Sequence, residues 1–493
     1  MHWNSKQNQK RLTDALGFLI LISVLVLNLT CDDGGGGGGI KETFHNPPQI
    51  SSSNGVLKTT LTIDFAEGEI DGQKFSSRMF NGTYTPPVLR VKRGDIMKIK
   101  LINKIDQMYQ NHTHGMNVTP LSPADDIFIM VMPTKSFDYE IPIPENHPEG
   151  MYYYHSHTFG LGEFQVMSGM SGGLIVEGLL DPFPELQGIK EKIIYLKDVQ
   201  IDPDGQVPMD IDSDAPTNRL VNGMINPTIV CRPGETQLWR VANIGADIYY
   251  DLELEGNTMF EIARDGNRHT RVVPRDHTFL PISARTEFLV QCGEEGVYEF
   301  KTLPINMGPQ GDMYPEDTLL TLVVQGKPEE PIPLPLPNEF PPVENLCDQV
   351  PALERTSVFS ETPDGNTFFI NGKEFDPKRV DFEITVGTIE QWRILNDSLE
   401  NHVFHIHQTD FQVCEINGEP QEFIGHQDTV NLPYKNDPED PPTEVRVAIN
   451  FTDPVICGNF VYHCHIMNHE DNGMMSRIRA DGPLCPLFPP PDD

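Results

Sequence analysis

A strand signal that recurs three times sets the tightest limit on how this chain folds. Each copy reads Asn-Gly, then a turn glycine, then an alternating stretch that closes on asparagine nine residues after that glycine. The copies are Asn81-Gly82 with GDIMKIKLIN (94–103), Asn222-Gly223 with GETQLWRVAN (234–243) and Asn371-Gly372 with GTIEQWRILN (387–396). Period-two alternation marks strands buried on one face, and recurrence at a steady interval marks a repeated structural unit. The Asn-Gly pairs lie 141 and 149 residues apart, the size of one compact β-sandwich. The 493 residues are too many for one core, and 43 prolines and 40 glycines punctuate them. The sequence therefore predicts an all-β protein of three consecutive Greek-key β-sandwich domains, over 55–182, 183–330 and 355–485. A Gly-rich linker over 32–54 precedes them and a Pro-rich tail over 486–493 follows.

The same repeat aligns the histidines. Ten of the sixteen fall in four clusters: HTHG (His112, His114), HSH (His155, His157), HVFHIH (His402, His405, His407) and HCHIMNH (His463, His465, His469). Nine residues past the repeat asparagine stands His112 in the first copy and His405 in the third, with His114 and His407 two residues later. The middle copy has Leu252 and Leu254 there, which bind no metal. Five residues past the turn glycines Gly150, Gly296 and Gly458 stand His155, Lys301 and His463. The first and third domains thus each offer two His-X-His strands. Converging at a shared interface, they would surround one metal cluster with eight histidines.

Cys464 lies between His463 and His465. On an extended strand its neighbours point to the opposite face, so one segment can feed two centres on either side of the backbone. A lone Cys among histidines also describes a buried thiol or a structural zinc site, but the other clusters point away from both. His469 and Met474 follow, and His402 can supply a second imidazole, which completes the trigonal His2Cys set with weak axial thioether of a blue copper site. The position of Cys464 is Ser156 in the first copy and Thr302 in the middle one, so only the third domain can build it.

These motifs, in this order and spacing, resemble the copper motifs of the multicopper oxidases, the family of laccases, bilirubin oxidases, cuprous oxidases and ferroxidases, over about residues 55 to 482. The resemblance implies cupredoxin-like sandwiches and four copper ions: one type 1, one type 2 and a type 3 pair. It implies type 2 ligation by His112 and His405, and type 3 ligation by His114, His155, His157, His407, His463 and His465. Four one-electron oxidations would then match the four electrons that take dioxygen to water. Copper nitrite reductases, whose thiolate belongs to the first of two sandwiches, are excluded because the first domain here lacks the cysteine. The third motif departs from the family's HPXHLHGH in Val403 for proline and in Gln408-Thr409 after the last ligand. No ligand is lost.

Oxygen reduction consumes protons, so acids near the cluster are expected. Glu470 occupies the place of a relay acid in several family members. A second acid commonly stands eleven residues beyond the first HXHG histidine, but that position here is Pro123; Asp125 and Asp126 follow it and either substitute or cap a turn. Met130, Met132, Met167, Met170, Met307 and Met313 read as core filler rather than a cuprous-ion relay.

A formal net charge of −36 argues against nucleic-acid binding. Residues 1–31 read as an export signal of lipoprotein type, with Lys6, Lys10 and Arg11 ahead of an apolar run and Cys31 as the acylation site. Its only membrane contact would be that lipid anchor, and the exported protein would be a periplasmic or cell-surface monomer. In such an oxidising compartment some of Cys231, Cys292, Cys347, Cys414, Cys457 and Cys485 should pair, in connectivities that spacing leaves open. The expected function is a laccase-like oxidase of phenols or similar organic donors. The alternatives are a cuprous, ferrous or manganous ion oxidase and, against the complete ligand set, a non-catalytic copper-binding scaffold.

Overall fold

The repeat asparagines end equivalent strands and hold equivalent loops. The computed structural model describes residues 39–485 apart from 210 and 212–214, so the export signal with Cys31 and the tail 486–493 lie outside the described residues. In each copy the signal strand runs parallel to the strand before it, with Asn103 opposite Ile63, Asn243 opposite Leu196 and Asn396 opposite Phe359. Each asparagine donates its amide to a carbonyl four or five residues on: Gln107 (2.8 Å), Ile248 (2.8 Å) and Glu400 (2.9 Å). Each also accepts from the N–H two residues on. This closed loop delivers the chain to the next strand in the same place in the first and third copies and one residue later in the middle one, which is the physical origin of the constant spacing to the ligand positions. The Asn-Gly signals behave alike, with Asn81, Asn222 and Asn371 all in the left-handed region that asparagine tolerates.

Apart from the two-stranded ribbon of Ile305–Asn306 and Met313–Tyr314, the strands form three pairs of mixed sheets whose order departs from chain order, as Greek-key crossovers require. The first pair holds strands from Gln49 to Val176, so its first strand, Gln49–Ser51, lies in the stretch read as linker. The second pair runs from Lys190 to Val324 and the third from Leu353 to Asp481. Separate apolar cores fill them, around Tyr154 and Leu101, around Trp239 and Phe288, and around Trp392 and Tyr462. Strand alternation holds for Ile96–Asn103 and Thr388–Asn396, but Thr236–Asn243 is buried on both faces. Its outer face is covered by the two connections between domains, where Leu179, Phe183 and Phe340 pack on Leu238 and Leu289. Disulfides join Cys231 to Cys292, Cys347 to Cys414 and Cys457 to Cys485.

In the first and third sandwiches the ligand strands are neighbours, with His112 opposite His155 and His405 opposite His463. In the middle one Leu252 stands opposite Thr302 and Glu253 opposite Lys301, one residue out of step with the other copies, as the asparagine-held loop there closes one residue later. Leu252 fills the middle core, whereas Lys301 reaches outward to Glu253 and Glu316. Leu252→Ala should therefore cost about 2–5 kcal/mol in thermal or denaturant unfolding, while Lys301→Ala leaves the melting temperature unchanged. Copper content, measured by metal analysis, should stay the same in both.

Candidate metal centre

Two groups of buried ligands lie on opposite sides of the strand Gly458–Cys464. On one side Cys464 ends that strand, His402 begins its neighbour His402–Ile406, and His469 sits on the short helix Met467–Asp471. The two Nδ1 atoms are 3.0 Å apart, and Cys464 Sγ is 3.8 Å from that of His402 and 3.6 Å from that of His469. The outer nitrogens are already engaged, His402 Nε2 with Ser398 Oγ (3.0 Å) and His469 Nε2 with Glu400 Oε1 (3.2 Å), so both rings turn Nδ1 toward the sulfur. Val403 N–H donates to Sγ at 3.4 Å. Met474 is fully buried in the same core, and its backbone bonds both Cys464 N–H and His469 C=O. Burial pushes the Cys464 thiol up, so a bound cation is what would ionise it.

On the other side all eight remaining histidines meet. The Nε2 atoms of His157, His407 and His463 lie 3.2–3.4 Å from one another. His465 Nε2 is 3.2 Å from His114 Nδ1, with the His155 ring beside them. His112 stacks on His407 and His114 on His405, both at 3.8 Å. The protein holds the back of four of these rings: His112 Nδ1 by Asp125 (3.1 Å), His155 Nδ1 by Ser156 C=O (2.8 Å), His405 Nδ1 by Asp428 C=O (2.8 Å) and His114 Nε2 by Asp428 Oδ1 (3.3 Å). In consequence Nε2 of His112, His155 and His405 is buried without any hydrogen-bond partner. Orphaned buried nitrogens each cost about 1–3 kcal/mol, and a metal ion would relieve all three. Burial first, then mutual repulsion, holds His114, His155, His405, His407 and His465 below the ordinary imidazole range, and His157 at about 4. These six rings are therefore neutral at neutral pH, the state in which imidazole ligates. Neutral imidazoles here and a thiol with two imidazoles across the strand fit copper at both centres.

Among the expected acids, Glu470 turns away from His469. It meets His157 Nδ1 at 3.3 Å and His463 Nδ1 at 3.1 Å, two histidines of one trio. Asp125 accepts from His112 Nδ1, from Thr113 N–H (2.8 Å) and from Gln408 Nε2 (2.9 Å). Asp126 instead caps a turn through Phe128 N–H (3.0 Å), and no bond joins it to the cluster among the described residues. Met167, Met170 and Met307 are core filler as expected, but Met130, Met132 and Met313 are exposed. Sequence reasoning missed Tyr153, whose hydroxyl lies 3.1 Å from His465 Nε2. It precedes His155 by two residues on one strand, so period two alone places both on the same face. Asp428 and Glu400 carried no such signal, because only the folded sheet brings them to their histidines.

Comparison with known proteins agrees with this geometry. Two multicopper oxidase family models match residues 63–180 and 348–482, together a little over half of the chain. The chain is 27% identical over 450 residues to the multicopper oxidase mco of Staphylococcus haemolyticus, covering 88% of this chain and 91% of that protein. It is 26% identical over 365 residues to the cell division protein FtsP of Glaesserella parasuis, covering 70% of this chain and 75% of that one. Among solved structures, a multicopper oxidase from Campylobacter jejuni, described as a metallo-oxidase, shares the fold with a TM-score of 0.74 at 24% identity, over 89% of this chain and 94% of that one.

Cys464 is the free thiol among the described cysteines, the others being paired. The copper-loaded protein should absorb intensely in the visible, and Cys464→Ser should lose that band entirely, since a hydroxyl gives no comparable charge transfer. A band that survives the substitution would place the metal elsewhere.

Proposed function

Because the chain belongs to the multicopper oxidases, we propose that it oxidises reduced metal ions, ferrous or manganous before cuprous, with four copper ions and dioxygen as the acceptor. In this reading His402, Cys464, His469 and Met474 hold the electron-accepting ion. His112 and His405 hold the type 2 ion, and the trios His114, His155, His465 and His157, His407, His463 hold the type 3 pair. Copper, when bound, supplies one-electron storage and the four-electron reduction of dioxygen to two waters. Cys464 is bonded through the backbone to His463 and His465, so the chain itself links the two ligand sets. The disulfides suit an oxidising compartment, which supports export.

One observation carries the choice of substrate: a cavity of about 330 Å³ opens on the edge of His469 and is lined by Glu361, Asp364 and Glu400, with Gln310 and Asn468 beside them. Glu400 accepts from His469 Nε2–H, so a cation bound there sits one hydrogen bond from the electron-accepting centre. Both Glu361 oxygens are buried, and the side chain bonds the Glu400 carboxyl rather than a cation. Burial first and then Glu361 push the Glu400 carboxyl above its usual range, the mark of negative charge short of a counter-ion. All these donors are oxygen, a set that suits hard divalent ions better than soft cuprous ion. Phe368, cross-strand partner of Glu361, stacks on the His469 ring at 4.1 Å and occupies the face a flat phenol would use. This favours a metal ion over the organic donor that the sequence suggested.

On the oxygen side Glu470 can pass a proton toward the cluster from Oε1 or Oε2. The acids around it are poised to resupply it: burial, then Glu470's charge, pushes Asp471 up to about 7, and burial, then Asp247, pushes Glu163 up to about 8.

Two kinetic outcomes follow. Glu361→Gln should lower kcat/KM for ferrous and manganous ions by roughly tenfold or more, in line with the loss of one ligand's charge-assisted contact, about 1.5–3 kcal/mol. The rate with 2,6-dimethoxyphenol should hold. A Glu361→Gln variant that loses phenol and metal-ion rates alike, or loses neither, would defeat the substrate reading. Glu470→Gln should slow the return of the visible band on mixing the reduced protein with dioxygen by about 10²-fold. Anaerobic bleaching by substrate should keep its rate, because Glu470 does not touch His469.

A further inference from the structure

We infer that Arg285, a residue of the middle sandwich, is a positioning residue for the histidine cluster: acting through Asp428, it sets which nitrogens of His114 and His405 are left to face a metal. The inference rests on the copper reading above and concerns a domain that carries no ligand.

Arg285 begins the strand Arg285–Gln291 and is completely buried. Its guanidinium forks onto Asp428, Nη1 to Oδ1 at 2.7 Å and Nη2 to Oδ2 at 2.6 Å. Its Nε donates to Met151 C=O at 3.2 Å, on the ligand strand Gly150–Ser156 of the first sandwich. Asp428 directly precedes the third-sandwich strand Thr429–Leu432. One side chain therefore bonds all three sandwiches at the point where the histidines meet.

Asp428 turns this anchor into orientation. Its Oδ1 takes the Nε2–H of His114, which leaves Nδ1 of that ring facing His465, and its carbonyl takes the Nδ1–H of His405, which leaves Nε2 of that ring unpartnered. Opposite nitrogens are thus exposed on two stacked rings by one residue, and Asp428 can do both only if its carboxylate plane is held. A bidentate arginine holds a plane, which a lysine cannot. Asp265 lies 3.6 Å from the guanidinium, but burial and the charge of Asp428 hold its carboxyl at about 7, which leaves the arginine's charge to Asp428.

Gly115 gives an independent sign that the pair is built in. It stands in the left-handed region, and a Cβ there would lie 2.3 Å from both Arg285 Nη2 and Asp428 Oδ2. The glycine that closes the HTHG motif is the gap through which the pair passes.

The test uses the full copper-loaded chain with R285M and R285K. The type 2 ion is read by its EPR signal, the blue ion by its visible band, and affinities by chelator titration. R285M is expected to keep the visible band while its type 2 copper binds about 10- to 100-fold more weakly, and R285K, with charge but no fork, should fall between. A merely structural role would lower both signals together, so equal loss overturns the inference. So does a wild-type type 2 signal with wild-type chelator resistance. Should R285M fail to fold, R285K decides on the same two criteria. Wild-type protein that binds copper but shows no type 2 signal would overturn the copper reading itself, and the inference with it.

Discussion

Eight imidazoles are buried edge to edge with their inward nitrogens turned on one another and three of them left bare, and the rest of the structure exists to make that tolerable. A fold that buries so many polar rings holds most of them from behind and so fixes which nitrogen turns inward. Asp125, Ser156 C=O, Asp428 and Glu470 do this, each on the nitrogen away from the centre. Because two ligand strands come from each of two sandwiches, the cluster can form only where the first and third domains meet. The middle domain then has to hold them at that distance, and Arg285 shows that it does so by direct bonds.

Much of this was legible in the sequence, because period and spacing are local properties. The repeat asparagines fixed the domain count and the alignment of His112 with His405, and the side-to-side alternation around Cys464 gave the two centres. What could not be read was whatever depends on one strand meeting another. Asp428 lies 314 residues from the His114 it orients. Glu470 was expected by the cluster from its place in the motif, but that a helical turn directs it to His157 and His463 in particular could be seen only in the fold. The Thr236–Asn243 strand alternates less than its sisters because connections between domains cover its second face.

The two centres treat negative charge in opposite ways. Around the histidine cluster each acid has an imidazole or a guanidinium to answer it. Beside His469, Glu361 and Glu400 line a cavity that has no guanidinium or ammonium among its lining residues, and the one imidazole there meets Glu400 alone. An enzyme that must let an electron in but keep its oxygen chemistry dry has reason to separate these two environments, and one strand's thickness does so.

The asparagine-held loop has a wider consequence. It sets two imidazoles at the same point in the first and third copies, and in the middle copy, where it closes one residue later, Leu252 turns into the core and Glu253 and Lys301 stand outward as a pair instead. Scaffold and chemistry are therefore largely separable in this architecture. A lineage built on it could gain or shed a ligand pair by exchanging residues at positions the frame already presents, with no loop moved by more than a residue.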